Sequence, residues 1–130
     1  MRGATRAERI TGVDKVSVSY SYLPKLPYDF RVPDSKGQIL EVQASLVLRA
    51  PDAFFRFDDA PAYMQTTLES TIYQLHSGVD LVFRKERHAQ AREQMHEIIR
   101  KAYYTFKDGS VHDGRSLGFE LEDLIRDTKP

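Results

Sequence analysis

From Val16 to Tyr22 the chain alternates without a break, with Val16, Val18, Tyr20 and Tyr22 on one side and Ser17, Ser19 and Ser21 on the other. A period of two in β-branched and aromatic residues predicts a strand. Pro24 and Pro27 interrupt it, because neither carries an amide to pair. Tyr28, Phe30 and Val32 then alternate with Asp29 and Arg31, and Leu40, Val42, Ala44, Leu46 and Leu48 alternate in turn along the next stretch. Between them, Pro33-Asp34-Ser35-Lys36-Gly37 has the residue types of a hairpin turn. The pattern predicts three antiparallel strands over about 16–22, 28–32 and 38–49, with Ser17, Ser19, Ser21, Glu41, Gln43 and Ser45 on the solvated face.

Beyond Pro51 the period changes. Asp58 or Asp59 with Pro61 supplies a helix start, and Ala60, Tyr63, Met64, Thr67, Leu68, Thr71, Ile72 and Leu75 recur at three and four. This predicts a helix over about 59–77, ending near Gly78. The apolar run 79–83 fits either a buried strand or the first turn of another helix with Asp80 as its cap. A second long helix over about 84–107 carries Ala91, Met95, Ile98, Ala102 and Phe106 on one stripe, widened by Ile99 and Tyr103, and Lys107-Asp108-Gly109 ends it. Leu117, Leu121, Leu124 and Ile125 predict a short last helix. Strands first and helices after give an α+β expectation, with residues 1–130 as a single domain behind a polar leader over about 1–14.

Composition narrows the function classes. Nineteen basic and nineteen acidic side chains cancel, so a global attraction to polyanions is missing and self-association meets little repulsion. The absence of cysteine excludes disulfides, thiolate nucleophiles and thiolate metal sites. No apolar run reaches the length of a membrane span and no secretory h-region follows the N-terminal arginines, so the expectation is a cytoplasmic chain without membrane contact.

Four groups of residues deserve weighing for chemistry. Glu93 and His96 share a helix face in the Glu-x-x-His spacing of carboxylate metal sites, and Glu69 and His76 on the preceding helix could complete a set. The simpler alternative is a solvent-facing pair, so no metal and no cofactor are expected. Arg84, Lys85, Arg87, His88 and Arg92 make a locally basic stretch suited to phosphates, yet no aromatics are interleaved to stack on bases. A salt-bridged face ranks ahead of nucleic acid. Ser110, His112, Asp113 and Ser116 include the residue types of a hydrolase triad but lack a nucleophile elbow, and the same stretch lacks the acid spacing of a calcium loop. It reads as a polar turn. Finally Phe54, Phe55 and Phe57 cannot all face one side of an extended chain, so one side either joins the core or meets a partner or ligand, with Tyr20, Tyr22 and Tyr63 nearby.

These residues predict a small, non-enzymatic binding or regulatory module, homodimeric through a sheet edge or the Phe-rich segment, with another protein as a possible partner. The binding candidates are Phe54, Phe55, Phe57, Tyr20, Tyr22, Tyr63, Arg84, Arg87 and Arg92. Behind it stands a small-ligand-binding protein or simple enzyme whose Tyr, Arg and His side chains are placed by the fold. A nucleic-acid regulator using the basic stretch 84–92 is the third reading.

Overall fold

A computed structural model describes residues 21–26, 30–54 and 65–130. Among them are four α-helices, α1 Lys36–Arg49, α2 Leu68–Val82, α3 Ala89–Lys107 and α4 Val111–Asp127, with a 3-10 turn Glu86–His88 leading into α3. No strand occurs among the described residues. The α+β expectation is therefore corrected to an all-helical fold over the described residues. Residues 16–20 and 28–29 lie outside the described part, and residues 21–22 and 30–32 form turn and irregular chain.

The third predicted strand is α1. Its buried residues are Ile39, Gln43, Leu46 and Val47, a spacing of three and four, whereas Leu48 on the supposed apolar face is 68% exposed. Gln43, assigned to solvent, lies inside. The supposed hairpin turn is instead the start of this helix: Ser35 caps it by accepting from the Gln38 amide at 3.2 Å, and the Gln38 side chain accepts from the Asp34 amide at 2.9 Å. Turn residues and capping residues are the same types.

Helix α2 starts at a Thr67–Ser70 capping box, later than the predicted 59, and passes through Gly78 to Val82. The ambiguous run 79–83 is thus the last turn of α2 and its cap, Phe83. Gly78 sits inside the helix because a Cβ there would press on Ile39 and Pro33 at 3.1 Å. Helix α3 begins at 89 instead of 84, after the 3-10 turn. Its end matches the sequence reading: Gly109 takes φ 88° and its amide donates to the Phe106 carbonyl at 3.0 Å.

Helix α4 is long, not short, and it absorbs the polar stretch that reads as a turn. The reason is close packing at two glycines. A Cβ on Gly114 would stand 2.8 Å from three Phe106 ring atoms, and one on Gly118 would overlap Val47 Cγ2. Across that contact the Gln43 amide donates to the Gly118 carbonyl at 3.0 Å, Arg115 Nε donates to the Val47 carbonyl at 3.0 Å, and Lys36 Nζ donates to the Arg126 carbonyl at 2.7 Å. Rising numbers on α1 meet falling numbers on α4, so the pair is antiparallel. With α1 against α2, α2 against α3 and α3 against α4 as well, the helices close into a bundle. Ile39, Leu46, Ile72, Leu75, Val79, Phe83, Met95, Ile99, Phe106, Leu121 and Ile125 fill it.

The chain before α1 follows α2. Leu23 is buried, Tyr73 donates its hydroxyl to the Pro24 carbonyl at 2.9 Å, and Gln74 donates to the Arg31 carbonyl at 2.9 Å. These contacts hold Tyr22 against the side of the bundle.

Candidate functional site

On α2, His76 and Asp80 are four residues apart and so share a face, and His96 on the antiparallel α3 meets that face. The three side chains and Tyr22 form one continuous hydrogen-bonded chain. Tyr22 Oη lies 2.7 Å from His76 Nε2, His76 Nδ1 lies 2.7 Å from His96 Nδ1, and His96 Nε2 lies 2.7 Å from Asp80 Oδ1. The imidazole rings stack with centroids 4.9 Å apart. His76 is fully buried and His96 nearly so, while the Asp80 side chain keeps 37% exposure. The chain therefore joins a solvent-reached carboxylate to a half-buried phenol.

The donor directions follow from elementary valence. An ionised carboxylate only accepts, so His96 donates from Nε2 and, when neutral, accepts at Nδ1. His76 must then donate from Nδ1 and accept at Nε2, which leaves Tyr22 as donor. One added proton on His96 reverses the two bonds on the Tyr22 side of it: His96 Nδ1 donates to His76, and His76 Nε2 donates to Tyr22 Oη, while His96 Nε2 still donates to Asp80. The chain has two self-consistent polarities.

Electrostatics keep His76 neutral. Burial, followed by the neighbouring His96, lowers the His76 pKa to about 2. Burial, followed by Tyr104, raises the Tyr22 pKa, so this phenol keeps its proton. Tyr22 lies among aromatic rings, its centroid 5.4 Å from Tyr104, 5.6 Å from Tyr103 and 5.8 Å from His76. Tyr103 is pushed up to about 12 by burial and by its hydroxyl's bond to Glu69 Oε2 at 3.1 Å.

Of the four residues weighed as a metal set, the structure brings His76 and His96 together and leaves the others apart. Glu93 is exposed, and Glu69 accepts from Tyr103 and pairs with Lys107 at 3.3 Å. The two Nδ1 atoms touch at a hydrogen-bond distance, closer than a tetrahedral ion with bonds of about 2.0–2.1 Å to each would hold them. Among the described residues no group of three His, Asp or Glu has a metal-holding arrangement.

Other candidates have structural employment. Arg92 Nη1 donates to the Phe83 carbonyl at 2.6 Å and the Lys85 carbonyl at 3.2 Å, capping the end of α2, and Arg87 donates to the Pro130 carbonyl at 2.9 Å. Arg84 is exposed. Replacing Arg92 by methionine is expected to cost about 1–2 kcal/mol in a urea melt, since charged hydrogen bonds to carbonyls contribute on that order. Phe54 belongs to the chain's own core, and Phe55, Phe57, Tyr20 and Tyr63 lie outside the described residues. His112, Asp113 and Ser116 are exposed along the first turns of α4, where Ser116 Oγ donates to the His112 backbone carbonyl at 3.3 Å.

Comparison with profiles of known protein families, with curated protein sequences and with solved structures finds no match to this chain. What the geometry defines is an antiparallel helical bundle with an interior tyrosine–imidazole–imidazole–carboxylate chain. No helix among the described residues is long and apolar enough to cross a membrane.

Proposed function

We propose that this protein is a small acid–base protein, a ligand binder or simple enzyme, in which a proton moves between the Asp80 carboxylate and the Tyr22 hydroxyl through His76 and His96. The observation that supports it is the unbroken run of three contacts, each 2.7 Å. A relay needs neighbours that can change donor role without holding charge, and stacked neutral imidazoles do this by exchanging tautomers. A ligand at the Tyr22 end then meets an acceptor in one polarity and a donor in the other.

The self-association reading loses its sheet edge, since no strand occurs among the described residues; of its Phe-rich segment, Phe54 lies in the core and Phe55 and Phe57 lie outside the described residues.

The test is calorimetric. A panel of small phenols and carboxylic acids, titrated in buffers of different ionisation enthalpy, should include binders whose heat varies with the buffer, reporting proton uptake or release. Tyr22→Phe should abolish that variation. Binding heats that ignore the buffer, or that survive unchanged in Tyr22→Phe, would contradict the proposal.

A further inference from the structure

A phenol that donates to an imidazole backed by a proton-accepting chain is also arranged to lose an electron. We propose that Tyr22 is a redox-active tyrosine, oxidised through the exposed ring of Tyr104 by an outer-sphere one-electron oxidant, a high-potential metal complex in solution, while its proton passes to His76. This rests on the relay reading and adds an electron path to it.

Three observations support the choice of Tyr22. Its ring lies 5.4 Å from that of Tyr104, which is 50% exposed, so a short aromatic step joins it to the surface. Its hydroxyl is 2.7 Å from the His76 Nε2, the nitrogen through which the chain to Asp80 begins. Tyr103, whose ring also lies beside Tyr104, is less well served: its hydroxyl reaches Glu69 at 3.1 Å, a carboxylate already paired with Lys107.

The step balances as follows in atoms and charge. One electron leaves the Tyr22 ring by way of Tyr104 and reduces the oxidant by one. The Tyr22 O–H bond breaks, and its proton binds His76 Nε2. His76 releases its Nδ1 proton to His96 Nδ1, and His96 releases its Nε2 proton to Asp80, which becomes the neutral acid. Tyr22 is left as a neutral phenoxyl radical and both imidazoles remain uncharged. Burial of His76 disfavours an imidazolium there, so onward transfer is the step that completes the reaction.

The test uses the full chain with photogenerated tris(bipyridine)ruthenium(III) as oxidant, read by electron paramagnetic resonance. Wild type should give a neutral tyrosyl radical, Tyr22→Phe should lose most of that signal, and Asp80→Asn should shorten its lifetime. A chain carrying fluorotyrosine at position 22 retains the ring and should stamp a fluorine splitting on the spectrum, which covers the case of a Tyr22→Phe variant that folds poorly. A spectrum without that splitting, or a radical lifetime unmoved by Asp80→Asn, overturns the inference. So does the absence of any radical in a protein whose imidazole tautomers are those assigned above, an outcome that leaves the relay itself standing.

Discussion

Lowering the pH from 7 to 4 is expected to remove about 3 kcal/mol of stability through His76 alone. In the unfolded chain this imidazole has a pKa near 6.5, and in the fold burial and His96 hold it down at about 2. Between those values the unfolded chain binds a proton that the folded chain does not. Stability is therefore complete above about pH 6.5 and falls by up to about 1.4 kcal/mol per unit as the pH drops through the window toward 2. Urea melts at several pH values measure it, with carboxylates contributing a background of their own. The diagnostic quantity is the difference between wild type and His76→Gln, whose amide preserves a donor and an acceptor but does not titrate. Parallel stability–pH curves for the two proteins would contradict the assignment.

Gly114→Ala and Gly118→Ala are each expected to destabilise the bundle by about 2 kcal/mol, lowering Tm by roughly 8 °C. The sign is informative because alanine is the better helix former by about 1 kcal/mol at an exposed interior position. Here the new methyl group meets the Phe106 ring or Val47, and α4 must move away from α3 or α1. At Gly118 such a shift also stretches the Gln43 bond to the Gly118 carbonyl. Thermal melts of the two variants decide the matter, and a rise in Tm for either would show that the close approach is absent.

The later half of the chain was more legible than the first. The α3 stripe is visible as a period of 3.6, and Gly109 marks its end through a positive φ that glycine adopts without strain. The region of α1 mimics a strand because Leu40, Val42, Ala44, Leu46 and Leu48 satisfy a period of two while Ile39, Leu46 and Val47 satisfy a helix, and a polar Gln43 completes the buried face. Counting apolar residues omits a buried amide whose partner is a carbonyl on another helix. The Ser35-x-x-Gln38 spacing, a capping signature, was the signal available. In α4 Gly114 and Gly118, residues that weaken an exposed helix, are contact points between helices.

The site was visible in fragments with other roles attached. His76 and His96 stood out as potential ligands on facing helices, Asp80 as a cap and Tyr22 as an interface residue. Periodicity tells which face of a helix a side chain occupies. It does not fix the rotation and height of one helix against the next, and those decide that two imidazole nitrogens meet each other and that Asp80 closes one end of the chain. Tyr22 joins from irregular chain held by Leu23 and the Tyr73 hydroxyl, which no local pattern encodes.

The most direct measurement is nitrogen-15 NMR of the histidine side chains in the 130-residue chain at neutral pH. The relay predicts His76 as the Nδ1–H tautomer, His96 as the Nε2–H tautomer, and a scalar coupling across the hydrogen bond between their Nδ1 atoms. Two imidazoles that both show the Nε2–H form, with no coupling between their Nδ1 atoms, would contradict it.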